Sequence, residues 1–144
     1  NRNANRKGFL VMKYMLDTNI CIYAIKNKPE KVLEKFKENL QEGLCISVIT
    51  LAELEYGVEK SSNPERNTAA LLQFVSLLDI ISFDDDAAIE YGKICASLCK
   101  KGTPIGTMDM LIAAHAKSKD LILVTNNVRE FERVKDLKIE NWVE

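Results

Sequence analysis

Short, mainly apolar runs alternate with longer stretches of helical spacing along the whole chain, and this alternation constrains the fold more than any other feature. The runs are KYMLD at 13–17, LCIS at 44–47, DIISF at 79–83 and LILVT at 121–125. Each is too short for a helix and reads as a buried strand. Between them fall helices predicted at 18–27, 29–43, 48–60, 68–78, 84–101 and 108–119, with SSNPERN at 61–67 as a turn. Pro29 suits the first turn of the second helix and Gly43 its end, with Val32, Leu33, Phe36 and Leu40 as its apolar stripe. In the helix at 84–101, Ala88, Ile89, Tyr91, Gly92, Cys95, Leu98 and Cys99 are expected toward the core. FERV at 131–134 reads as a helical turn and KIENW at 138–142 as a last strand. Strands separated by helices predict an α/β fold, a three-layer α/β/α sandwich around a central, mostly parallel sheet. Such sheets collect their chemistry beyond the carboxyl ends of the strands.

A chain of 144 residues fits one domain with a substantial core. Residues 12–144 read as that domain. NRNANRKGFLV, at 1–11, is polar and basic, lacks the apolar centre of a secretion signal, and reads as an extension or mobile leader before a natural start at Met12. No apolar run approaches the roughly 20 residues of a membrane span. The net charge of −1 gives no global basic field, so any nucleic acid would have to meet local Lys and Arg clusters. Cys21, Cys45, Cys95 and Cys99 form no CxxC pair and have only His115 to help them, which argues against zinc. Their apolar or helical contexts suit reduced, buried thiols and a cytoplasmic location.

Four positions bear oxygen ligands where such a sheet would use them. Asp17 ends the first run, and two readings of it stand: N-cap of the next helix, which Thr18 would also serve, or one arm of an acidic site. Glu53 shares a helix face with Ile49, Ala52 and Tyr56, a face otherwise apolar. A carboxylate packed there is costly unless a cation meets it, so Glu53 is an exposed edge residue, an ion-pair partner or a ligand. Asp109 opens the helix MDMLIAAHAKSK, where an acid is favourable in the first turn whatever else it does. In VTNNVREF, at 124–131, Thr125, Asn126 and Asn127 follow the strongest strand directly and Glu130 lies three residues on; the plain alternative is an Asx-rich turn.

Taken together these groups share one end of one sheet. Carboxylates crowded into a pocket repel one another and take up protons unless a cation compensates. Oxygen ligands without His or Cys clusters suit Mg²⁺ or Mn²⁺, ions that clamp phosphates and help ionise an attacking water. The implied chemistry is metal-dependent phosphodiester hydrolysis. No side-chain nucleophile is expected: the serines and cysteines lack a paired base, and His115 reads as a packed or helix-surface residue.

MLDTN at 15–19, the Glu in TLAELEYG at 50–57, PIGTMD and LIAAHA within 104–116, and VTNNVREF resemble the PIN-domain ribonucleases and, more closely, the VapC toxins of bacterial toxin–antitoxin pairs. The resemblance covers 12–144. It implies a PIN-like α/β/α sandwich and an endoribonuclease that inhibits translation, with tRNA, initiator tRNA cut in its anticodon loop above all, as the expected substrate. It implies Asp17, Glu53 and Asp109 as ligands of Mg²⁺ or Mn²⁺ in a catalytic set with Asn127 and Glu130. Many members carry Asp where Asn127 stands. Here a second metal site is weak, or Glu130 supplies the charge, or RNA phosphates complete it. Asn19 and Thr125 are then the groups that orient carboxylates or water. Lys100, Lys101, Lys117, Lys119 and Arg129 are expected to contact RNA. A VapB-type antitoxin is expected to lay its C-terminal segment across the acidic groove, and the chain to form a homodimer. Two other readings stay open. A phospho-acceptor receiver domain would use an acid such as Asp79 or those at 84–86, but a strand-end Lys is missing. A PIN-like RNA-binding protein that has lost catalysis is kept open by Asn127.

Overall fold

The computed structural model describes residues 12–144, so the leader expected at 1–11 lies outside the described residues. Five strands make one sheet: β1 (Tyr14–Leu16), β2 (Leu44–Ser47), β3 (Asp79–Ile81), β4 (Ile122–Val124) and β5 (Ile139–Glu140). Their order is β3-β2-β1-β4-β5 and every neighbouring pair is parallel. Parallel neighbours need crossovers, and helices supply them. They are α1 (Thr18–Lys26), α2 (Glu30–Asn39) with a 3₁₀ turn at Leu40–Glu42, α3 (Val48–Glu59), α4 (Pro64–Val75), α5 (Asp85–Lys100), α6 (Thr107–Ser118) and the short α7 (Val128–Phe131).

The period of two along each strand divides the core between two faces. Tyr14, Leu16, Leu44, Ile46 and Val124 pack with Ile20, Phe36, Leu54, Val58, Leu71 and Phe74 of α1 to α4. Met15, Cys45 and Leu123 point the other way, onto Ile94, Leu98, Met110, Ile112 and Phe131 of α5 to α7. The result is the three-layer sandwich the alternation predicts. The central strands β1, β2 and β4 are almost wholly apolar because both of their faces are covered, whereas the edge strands β3 and β5 each carry an acid and are only partly buried.

Several boundaries differ from the sequence reading. The segment at 61–67, expected as a turn, contains the start of α4: Asn63 accepts the Arg66 N–H at 3.2 Å and Pro64 sits in the first helical turn. The short helix after β4 begins at Val128 rather than Phe131, and the last strand is confined to Ile139–Glu140. The buried stripe of α5 is Ala87, Ile94 and Leu98, with Tyr91 and Cys95 partly covered. Ala88, Ile89, Gly92 and Cys99, expected inward, are exposed, because the inward stripe is narrower and runs through Ala87, Tyr91, Ile94 and Leu98 at spacings of three and four. The buried-thiol reading holds for Cys21 and Cys45 only; Cys95 is partly exposed and Cys99 exposed, and all four thiols are free. No described helix is long and apolar enough to cross a membrane.

The strand order places the site. From β1 the chain winds outward through β2 to β3, then crosses back to β4 and β5 on the other side of β1. The connections leaving β1 and β4 therefore diverge, and open parallel sheets have a crevice at such a reversal, beyond the carboxyl ends. Asp17 follows β1 there and Thr125 follows β4.

Candidate functional site

Asp17 caps α1, and its second carboxylate oxygen faces the end of β4. Its Oδ1 accepts the Ile20 N–H at 3.0 Å, which caps α1, and its Oδ2 accepts the Thr125 hydroxyl. The Asp17 N–H is tied to the Val124 carbonyl at 3.0 Å, so the ends of β1 and β4 are held side by side. Thr125 is itself oriented, because its Oγ1 accepts the Asn127 N–H at 2.9 Å. Asp17 is only 5% exposed. Burial pushes its carboxyl up from 3.8 to about 6; the two hydrogen bonds pull it down, and the charges of Asp109 and Glu53 push it further up.

Glu53 arrives from α3 and Asp109 from the first turn of α6. The Thr18 hydroxyl donates to Glu53 Oε1, joining the first residue of α1 to a carboxylate 35 positions on. Asp109 is raised by burial and by the charges of Glu53 and Glu130. Asp17 thus feels the charges of Asp109 and Glu53 at the crevice, and Asp109 feels those of Glu53 and Glu130. The face assigned to Glu53 needs correction. The buried residues of α3 are Thr50, Leu54 and Val58, while Ala52 and Tyr56 are exposed. Glu53 is only partly buried because it borders the open crevice rather than a packed interface.

The donor set is oxygen alone and negatively charged, and burial together with neighbouring acids raises the pKa of Asp17 and of Asp109. Both properties fit a hard divalent cation. Among the described residues, no group of three or more His, Cys, Asp or Glu side chains is already drawn around one point. The carboxylates are near enough to feel each other without forming a closed cage.

The remaining expected residues divide. Thr125 lies in the centre of the site. Asn127 reaches it through its backbone N–H, and its side chain makes no cap bond to α7. Asn19 is exposed. Lys100, Lys101 and Arg129 are exposed at the C-terminal end of α5, just past it, and on α7. Lys117 pairs with Glu90 at 3.8 Å and Lys119 with Asp84, at the end of α6 remote from Asp109. His115 is fully buried, with Nδ1 2.7 Å from Ser47 Oγ and its ring edge-on to Phe83. Burial holds its imidazole below the ordinary range. Thr18, Ser47 and His115 were not singled out as partners of the acids, since no spacing rule pairs residues 35 or 68 positions apart.

The profile of the PIN domain matches residues 14–137. The chain is 53% identical over 132 residues to a protein of Salmonella typhimurium named tRNA(fMet)-specific endonuclease VapC, covering 92% of this chain and 99% of that one. It is 53% identical to ribonuclease VapC2 of Haemophilus influenzae, over 92% of this chain and all of the other. Among solved structures it resembles DNA-bound VapBC from Salmonella typhimurium with a TM-score of 0.87, at 53% identity over 92% of this chain and 99% of that one. It also resembles VapBC-1 from nontypeable Haemophilus influenzae with a TM-score of 0.85, at 39% identity over 92% and 100%.

Proposed function

The chain belongs to the PIN-domain family and to its VapC group, and from that premise we propose that it is an endoribonuclease toxin, dependent on Mg²⁺ or Mn²⁺ and silenced by a VapB-type antitoxin. The observation that carries the reading is a buried carboxylate, Asp17, held by Thr125 at the reversal point of the sheet, with Glu53 of α3 and Asp109 of α6 near enough to raise its pKa. The name carried by the Salmonella relative makes initiator tRNA the substrate to test first, with loss of translation as the consequence.

Asp17, Glu53 and Asp109 would hold the cation, which when bound supplies charge neutralisation at the phosphate and a more acidic water. The protein's own part is to position these groups. The Ile20 N–H and Thr125 hydroxyl fix Asp17, the Asn127 N–H fixes Thr125, and the Thr18 hydroxyl fixes Glu53. Glu130 acts on Asp109 as the fourth negative charge, which accounts for an amide rather than an acid at Asn127. Lys100, Lys101 and Arg129 serve as phosphate contacts at the rim. An antitoxin that sends a Lys or Arg into the groove would relieve the same repulsion and so compete with the metal. A homodimer belongs to the same reading.

The test is direct. The protein is incubated with initiator tRNA and with bulk tRNA in Mn²⁺, with and without EDTA. Cleavage in the anticodon loop that stops on chelation or on addition of the cognate antitoxin is the expected result. RNA retained intact in Mn²⁺ would identify a binding protein without catalysis.

A further inference from the structure

The acidic centre cannot by itself attract RNA. The buried Asp17 carboxyl lies at the crevice with Glu53 and Asp109 near enough to act on it, and the whole chain carries a net charge of −1. Affinity for a polyanion must come from cations gathered elsewhere. One concavity, of about 180 Å³, has that character. It lies between α5, α6 and the segment after α7, and Lys93, Ser97, Lys117, Arg133 and Lys135 line it over an apolar floor that includes Leu98. Surface lysines are ordinarily just solvated. Here four cations converge on one hollow with no acid in its lining. A neighbouring hollow mixes Arg129 with Glu132 and Glu144.

The cations are only loosely compensated. Glu90 is shared by Lys93 at 3.9 Å and Lys117 at 3.8 Å. Lys135 has no ion-pair partner among the described residues. Arg133 donates one N–H to the Pro104 carbonyl at 3.1 Å, which fixes the guanidinium and leaves four further donors on it. That bond ties the hollow to the loop that leads into α6, the helix whose first turn carries Asp109. Along α6 the rise from Asp109 to Lys117 is about 12 Å.

We propose that this concavity binds backbone phosphates of the RNA substrate, at a distance from the bond that is cut. The proposal rests on the ribonuclease reading for the identity of the ligand. The hollow supplies the attraction that the acidic centre lacks, and Ser97 adds a neutral donor for a phosphate oxygen. An acidic protein segment would meet the same charges, but it does not answer the need to hold RNA against a protein of net negative charge.

The test compares Lys93→Ala/Lys135→Ala with Lys31→Ala/Lys35→Ala, the same charge change on exposed residues of α2. Matching thermal melts check folding. Binding of labelled tRNA is read by fluorescence anisotropy in EDTA over a series of salt concentrations, and cleavage by the parent is read separately in Mn²⁺. The first pair is expected to bind about tenfold more weakly, with its log–log salt slope reduced by about 1.5, the sum of two lost phosphate contacts. The α2 pair should behave as the parent does. Equal losses in both pairs, no loss in the first, or a parent that does not bind RNA would each overturn the proposal. So would unchanged RNA binding with lost binding of polyglutamate, which would assign the hollow to an acidic protein. A parent that binds RNA through these lysines yet cuts none in Mn²⁺ supports the hollow and refutes the ribonuclease reading. A parent that cuts, with variants that bind as it does, refutes the hollow alone.

Discussion

The Thr125 hydroxyl donates a hydrogen bond to Asp17 Oδ2 across 108 positions of sequence, locking the ends of β4 and β1 together at the point where the strand order reverses. It is one of two bonds that favour the ionised form of a carboxyl whose burial favours the protonated one. Thr125→Val keeps the shape and removes the donor. The Asp17 pKa is then expected to rise beyond about 6, and the acid limb of RNA cleavage to move to higher pH with it. Carboxyl-carbon NMR titration of parent and variant checks this, and an unmoved Asp17 would contradict it.

The same shift predicts how stability depends on pH. A folded-state pKa raised from 3.8 to about 6 means that the folded chain holds the Asp17 proton more tightly than the unfolded chain. The stability this contributes is complete below about pH 4 and is lost as pH rises through 6, by about 3 kcal/mol for a shift of this size. Asn caps a helix as well as Asp does. Asp17→Asn, measured against the parent by urea unfolding in EDTA, is therefore expected to gain about 3 kcal/mol relative to it between pH 4 and 7. A variant destabilised equally at both pH values would make Asp17 a structural cap and nothing more.

Glu53 depends on a donor from another helix. Thr18→Val removes the hydroxyl that holds Oε1 and should lower RNA cleavage about tenfold or more, the scale on which supporting groups act. Thermal melting should move little, since Thr18 is partly exposed. Full activity in the variant would show that Glu53 needs no orientation.

Ser47 joins the helices that carry Glu53 and Asp109. Its Oγ caps α3 by accepting the Ile49 N–H at 3.0 Å, and it meets His115 of α6 at 2.7 Å. Ser47→Ala removes a cap and leaves a buried ring nitrogen without its partner, so a loss of about 2 kcal/mol or more in urea is expected. Ser47→Thr keeps the hydroxyl and should restore most of it. If both helices are positioned through this contact, kcat of the alanine variant falls further than its KM changes.

The architecture was open to reading because short apolar runs and helical stretches obey different periods, and the pattern holds from Tyr14 to Ile139. Asp17 and Asp109 were legible for a related reason: a strand end and a helix start fix where a side chain begins. The buried face of α3, Thr50, Leu54 and Val58, differs from the face the apolar spacing suggests for Glu53. Apolar spacing cannot tell a packed stripe from one that borders a crevice, and Tyr56 is apolar yet exposed. The start of α4 was hidden because Asn and Pro mark turns and helix starts alike. The contacts of Thr18 with Glu53 and of Ser47 with His115 join elements that meet only in the folded sheet. So do the cations at positions 93, 117, 133 and 135, which no segment of sequence brings together.

Calorimetric titration of Mn²⁺ into the full chain at pH 7 reaches the central claim most directly. The parent is expected to show saturable binding, lost in both Asp17→Asn and Asp109→Asn, with each variant folded by circular dichroism. Mn²⁺ binding of equal strength in the parent and in both variants would contradict the account, because these carboxylates would then not be what holds the ion.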